Sequence, residues 1–299
     1  MEGRLERGLA RMTNRSHALW AVAAVAALTC CAAIGASAPA LASVTIGQLP
    51  TGTPSPSCTA SGFDYLQPSV TGGNFYVARQ AGTLTSWSTN SSGAGATYVL
   101  KVFRRTTDPE SFQVIAHSPP QTLSSGLNTF SVSLSVKSGD LLGYHESGPP
   151  NSCTFFQPGD NVLNRAGNLS DGAAGTFGPL NDVRLNLQAV LVPDNAFTLA
   201  GITRDRKRGT AAITVQTTNP GLVAVTGKGL KKGRARTLAV AGPVTFSVAT
   251  TGRTKRRLQR KGRVVVPVTV TFFPTGGDPS AQAISLTLRK IRPHPSVAV

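Results

Sequence analysis

"NTFSVSLSVKSGDLLGYH", residues Asn128–His145, is the stretch that decides the fold. Phe130, Val132, Leu134 and Val136 share one parity, and Ser131, Ser133, Ser135 and Lys137 share the other. Side chains alternate across an extended strand, so this pattern predicts one buried face and one wet face. Ser138-Gly139-Asp140 then predicts a tight turn, and "LLGYH" predicts a returning strand. The same pattern recurs on both sides, in "NFYVARQ", "GTLTSWS", "ATYVLKVFRR", "SFQVIAH", "CTFFQ" and "VRLNLQAVLV". Turn clusters such as "NSSGAGA" and "SGPPNS" separate these runs. Eight or more short strands at this spacing predict an all-β, jelly-roll-like sandwich over residues 43–193.

Beyond the turn "VPDNAF", seven further runs alternate: "AFTLAGIT", "GTAAITVQT", "GLVAVTG", "RTLAVA", "PVTFSVAT", "RVVVPVTVTFF" and "AQAISLTL". About a hundred residues with seven such strands predict a seven-stranded Ig-like sandwich. We place it at 194–293, with 294–299 as a disordered tail. This region has no cysteine pair and no core tryptophan, so it is not antibody-like in detail. Between its fifth and sixth strands, Arg253–Lys261 predicts a short helical crossover stopped by Gly262.

The first 42 residues have the composition of an export signal. Arg4, Arg7, Arg11 and Arg15 precede the apolar run "ALWAVAAVAALTCCAAIGA", and Ala40 and Ala42 suit a cut before Ser43. This predicts an N-terminal signal helix and a secreted or cell-envelope location. A retained anchor is the competing reading. After cleavage two cysteines remain, Cys58 and Cys153, and an oxidising compartment predicts that they form one disulfide.

The formal net charge of +17 is unevenly spread. Residues 43–194 carry 7 basic and 9 acidic groups, whereas residues 195–299 carry 19 basic and 2 acidic groups. On an Ig-like topology these cations fall into four segments that share one pole. The first holds Arg204, Arg206, Lys207 and Arg208. The second holds Lys228, Lys231, Lys232, Arg234 and Arg236. The third holds Arg253, Lys255, Arg256, Arg257, Arg260, Lys261 and Arg263, and the last holds Arg289, Lys290 and Arg292. The opposite turns, "TNPG", "AGP" and "PTGGDPS", carry no cation. Such a pole predicts a polyanion partner, and the alternative is solubility with edge protection. Single-strand nucleic-acid binders interleave aromatics with their cations. Here Phe197, Phe246, Phe272 and Phe273 all lie within strand runs. Anionic cell-wall polymers or membrane-surface headgroups are therefore the expected partners, and nucleic acid is not.

Signals for chemistry are sparse. The chain has no G-x-S-x-G, H-E-x-x-H or Walker loop, and no cofactor or metal is predicted. Asp64, Asp140, His145 and Glu146 would have to converge to make a hydrolase, but His145 and Glu146 are adjacent and point to opposite faces of a strand. The turn aspartates Asp160, Asp171 and Asp182 are expected to cap their own loops. Tyr65 and Trp87 are the candidate glycan-stacking rings, weighed against a place in the core. The expectation is a non-catalytic envelope protein whose first sandwich recognises a glycan or a protein. A hydrolase site in that sandwich, or a passive spacer, is the alternative.

Two resemblances accompany this reading. The segment around "VKSGDLLGYH" resembles a β-sandwich class of secreted proteins from high-GC Gram-positive bacteria. "RRLQRKGRVVVPVTVTFFPTGG" (Arg256–Gly277) is similar to basic Ig-like or fibronectin-like modules at the C-termini of secreted actinobacterial proteins. The resemblances imply an extracellular binding or structural role without catalysis.

Overall fold

The computed structural model describes residues 42–52, 61–73, 75–149 and 153–291, apart from the side chain of Arg234. The expected signal segment up to Leu41, Cys58 and the expected 294–299 tail therefore lie outside the described residues. The first sandwich contains β1 (Val44–Gln48), β2 (Phe63–Ser69), β3 (Gly82–Ser91), β4 (Thr97–Arg105), β5 (Ser111–His117), β6 (Gln121–Thr122), β7 (Gly126–Val136), β8 (Leu141–Ser147), β9 (Thr154–Ala166), β10 (Ala174–Thr176), β11 (Gly178–Leu185) and β12 (Leu187–Pro193). One sheet has the order β1-β12-β3-β7, and the other runs β10-β5-β4-β8-β2-β9-β11, with β6 beside β4. The chain crosses between sheets so that β1, β12, β3 and β7 face β2, β8, β4 and β5. This interleaving is that of a jelly roll. The extra excursion β9–β11 widens the second sheet.

The deciding stretch forms β7, a turn and β8. Phe130, Val132 and Leu134 pack against the inter-sheet core while the intervening serines are exposed. Gly139 takes φ 96, a left-handed conformation that favours glycine. Asp140 closes the turn by accepting the Lys137 N–H at 2.7 Å through its carboxylate.

The larger sheet departs from the expected wet face. Tyr65, Leu100, Val102, Leu142 and Tyr144 face the inter-sheet core. On the opposite face Leu66, Phe103, Phe112, Val114, Leu141 and Phe177 form a second cluster, with Leu163 and Leu169 packed against it. Residues of the β9–β11 excursion thus cover the outside of the sheet. Strands buried on both faces read as continuous apolar runs, which is why "YVLKVF" and "LLGYH" do not alternate.

The second sandwich contains β13 (Phe197–Asp205), β14 (Thr210–Thr217), β15 (Gly221–Thr226), β16 (Arg234–Leu238), β17 (Pro243–Val248), helix α1 (Gly252–Lys261), β18 (Arg263–Pro274) and β19 (Ser280–Arg289). The sheets are β13-β14-β17 and β16-β15-β18-β19. Here β16 pairs with β15 and not with β17, giving three strands against four, the reverse of the antibody constant pattern. Val264, Val266, Val268, Val270 and Phe272 point inward from β18 onto Ile213, Val215 and Phe246. Pro267 lies two residues past the last register pair of β15 with β18, Thr226 with Thr269, where a missing N–H costs least.

Helix α1 ends as expected. Gly262 has φ 69 and donates its N–H to the Leu258 carbonyl, a left-handed cap. Leu258 is the helix's buried residue and packs in the core of the second sandwich. Among the described residues no helix is long and apolar enough to cross a membrane.

Candidate functional site: the cationic pole

The four basic segments meet at one end of the second sandwich, joined by backbone hydrogen bonds. Ile291 N–H donates to the Arg206 carbonyl at 2.9 Å, tying the chain after β19 to the β13–β14 turn. Lys290 N–H donates to the Gly262 carbonyl at 2.8 Å, tying it to the end of α1. Thr251 N–H reaches the Gly229 carbonyl at 2.9 Å, and Lys231 N–H reaches the Ala249 carbonyl at 2.8 Å. These bonds bring the β15–β16 loop against the start of the helix. Arg204 donates from Nε to the Thr287 carbonyl at 3.2 Å, and Lys207 and Arg208 N–H groups both bond the Asp205 carboxylate at 2.9 Å.

Asp205 is the pole's carboxylate; the region's other acid, Asp278, lies in the opposite turn. Its ion pair with Arg208 is 3.8 Å long and solvent-exposed, so it offsets little of the charge. Helix α1 carries the densest cationic run. Its first turn has no acidic residue and Thr251 makes no side-chain cap, while Arg260 and Lys261 suit the last turn. Arg253 and Arg257, Arg256 and Arg260, and Arg257 and Lys261 stand four residues apart as like-charge pairs, which weaken a helix. One segment differs from expectation. Arg234 and Arg236 belong to edge strand β16 and not to a turn, and the Arg236 guanidinium sits 5.8 Å over the Phe246 ring.

The opposite end, whose turns carry no cation, abuts the first sandwich. The buried Asn219 side chain donates to the Ala81 carbonyl at 2.8 Å and accepts the Ala81 N–H at 2.7 Å. It also donates to the Asp194 carbonyl at 2.8 Å, and Gln80 reaches the Thr275 carbonyl at 2.9 Å. Nothing in the turn "TNPG" marks Asn219 as a latch, because its partners lie far away in sequence.

The first sandwich uses its charges differently. Lys101, fully buried, donates to Asp64 Oδ1 at 2.6 Å, Asn168 Oδ1 at 2.7 Å and the Leu169 carbonyl at 2.8 Å. Burial pulls its ammonium below the ordinary lysine value, and the Asp64 hydrogen bond and charge act in the other direction. His145 Nδ1 lies 2.9 Å from Asp64 Oδ1, and the Leu169 N–H donates to Asp64 Oδ2 at 2.9 Å. An Asp–His pair can orient an imidazole for proton transfer. Here the same aspartate oxygen is bound by an ammonium, which weakens it as a partner for a developing imidazolium. Asp140 is held by Arg104 through two bonds of 2.7 and 2.9 Å. Glu146 is fully buried, neither of its carboxylate oxygens has a partner among the described residues, and burial pushes its pKa up to about 7. Asp64 and His145 therefore come together, while Asp140 is bound by Arg104 and Glu146 stands on the opposite face of β8 from His145.

Asp160 accepts Arg184 Nε at 2.5 Å and the Thr71 N–H and hydroxyl at 2.7 Å each. Burial opposes its ionisation, but Arg184 and Thr71 outweigh that and hold the carboxyl below its ordinary value. Asp171 pairs with His117 at 2.7 Å, and Asp182, at φ 58, accepts the Gly159 N–H at 2.9 Å. Among the described residues no group of His, Cys, Asp and Glu is placed to hold a metal.

Both candidate stacking rings are in the core. Tyr65 is 0% and Trp87 1% exposed, and Trp87 packs 4.9 Å from Phe130. Neither ring presents a face to a sugar: parity chose the face, and the facing sheet covered it. An aromatic feature that the strand pattern did not single out is exposed instead. Phe75 carries the Arg79 guanidinium 3.5 Å over its ring. It borders a cavity of about 280 Å³ whose wall includes Ile46, Val77 and Leu191. Cys153 is fully buried beside the Tyr98 hydroxyl, 3.3 Å from its sulfur.

No family model matches the chain, and no curated protein matches it. A solved structure that it matches is the GH2 beta-galacturonidase from Eisenbergiella tayi bound to galacturonate, at 11% identity and a TM-score of 0.21. The match covers 82% of this chain and 44% of that one, so the chain spans under half of that protein's length. A likeness this loose carries no argument about fold or activity.

Proposed function

We propose that the protein is an exported, non-catalytic, envelope-associated binding protein. Its cationic pole holds anionic cell-wall polymers or anionic headgroups at the cell surface. The observation that carries this reading is the convergence of four basic segments on one end of the second sandwich, with a single carboxylate among them. Helix α1 supports it further, because its cationic first turn and like-charge pairs work against helix stability. A fold under selection for stability alone would not gather them there. The first sandwich, at the other end, would face a glycan or protein partner, and the cavity beside Phe75 and Arg79 is the place for one. A Cys58–Cys153 disulfide belongs to the same reading, as does release of the signal before Ser43.

The test is retention of the mature chain on purified Gram-positive cell walls across a salt series. Polyelectrolyte binding releases counterions, so affinity should fall steeply and log-linearly with salt. Retention no stronger at low salt than at high salt overturns the reading. Preferential capture of duplex DNA over cell walls at equal ionic strength would also overturn it.

A further inference from the structure

Within the pole, one cavity gathers cations from all four basic segments. It has a volume of about 200 Å³ and is lined by Arg208, Lys231, Lys255 and Lys290 together with Thr250 and Gln259. Arg208 comes from the β13–β14 turn, Lys231 from the β15–β16 loop, Lys255 from α1 and Lys290 from the chain after β19. Among the described residues no carboxylate lines it. Its inner wall includes Leu258 and Gly209. A Cβ on Gly209, which has φ 70, would stand 3.0 Å from the Leu258 side chain and 3.2 Å from that of Lys290. The backbone there is kept bare where the helix and the last segment close in.

We propose that this cavity is a binding site for a phosphoryl group. The proposal rests on the polyanion reading and names the chemistry recognised within it. A carboxylate offers two oxygens in one plane and one charge. A terminal phosphate offers three strong acceptor oxygens and nearly two charges at neutral pH. Four cations from four directions, with a hydroxyl and an amide between them, exceed what one carboxylate accepts and match a tetrahedral oxyanion. Without an anion the four charges repel one another in a partly enclosed space. Binding one relieves that repulsion.

The experiment titrates the full mature chain with inorganic phosphate and, separately, with acetate, following backbone amide shifts by NMR. Lys231→Met/Lys255→Met removes two cavity cations. Arg253→Met/Arg257→Met removes the same charge from the same pole outside the cavity. Circular dichroism melts establish that both pairs fold. The cavity pair should weaken phosphate binding by about tenfold or more and the outer pair by less than about threefold. Glycerol 3-phosphate in solution and phosphatidylcholine vesicles containing phosphatidic acid, both phosphate monoesters, distinguish a soluble from a lipid source of the group. Whichever of the two is bound selectively more weakly by the cavity pair names it. Equal weakening by the two pairs, or acetate bound as tightly as phosphate, overturns the site. If poly-γ-glutamate is still retained in that case, the polyanion reading stands without the site. If no polyanion is retained at low salt, both fall.

Discussion

The two sandwiches treat charge in opposite ways. In the first, Lys101 with Asp64 and Arg184 with Asp160 are buried pairs saturated with further hydrogen bonds. In the second, cations stand on the surface beside one carboxylate. Buried pairs specify which segments meet, and breaking one leaves an uncompensated charge. Exposed like charges specify nothing about the fold and act on whatever approaches. The difference teaches that the high net charge of this chain is a property of one end of one sandwich.

The most severe way to test the contrast is Lys101→Met. It leaves Asp64 buried without its cation and should cost about 3–5 kcal/mol in chemical denaturation. Lys101→Met combined with Asp64→Leu should recover much of that loss, because the unpaired charge is gone. Removing a single exposed cation from the pole should come nowhere near this cost. In the second sandwich a comparable loss requires an apolar change. Leu258→Ala should cost about 2–5 kcal/mol and release α1, read as lost amide protection confined to residues 252–262.

A third test uses pH. Glu146 has its folded pKa raised, so it favours folding while protonated. That contribution is complete below the unfolded value of about 4.3 and is lost as pH rises towards about 7. Glu146→Gln should flatten melting temperature over that window and raise it above pH 7. Asp160 runs the other way. Its depressed folded value gives stability above about pH 3.9 that fades as acid protonates it, so Asp160→Asn should reduce acid sensitivity while lowering stability at neutral pH.

The smallest effect should appear where the contrast is sharpest. Arg253→Glu places an acid in the first turn of α1 and removes one like-charge pair. It should raise helix protection by a few tenths of a kcal/mol at low salt while weakening polyanion retention. Added salt should by itself raise protection of the α1 amides and leave those of β4 unchanged, since screening reaches exposed repulsion more than buried pairs.

Much of this was legible in the residues. Phe130 to Val136 gave away a half-buried strand because period two is a local property of the extended chain. Gly262 marked the helix end because only a left-handed cap stops a helix in that way, and four basic segments could be assigned to one pole once seven strands were counted. The site was less legible. Tyr65 and Trp87 read as either ring platforms or core residues, because a strand pattern cannot say whether the face it offers is covered by another sheet. The strand containing Arg236 read as running from there to Ala241, but it begins at Arg234 and ends at Leu238, because edge pairing with β15 sets its limits.

The sequence by itself determined the class of fold, the location of its turns and the separation of charge along the chain. All three follow from short-range rules: side-chain alternation, backbone freedom at glycine, and composition. Only the tertiary structure decided that the β9–β11 excursion covers the larger sheet, that Asp64 takes both Lys101 and His145, that Asn219 latches onto Ala81, and that Arg208, Lys231, Lys255 and Lys290 surround one cavity. Those outcomes join residues far apart in the chain, and no local pattern encodes which distant partner will satisfy a buried polar group or close a space.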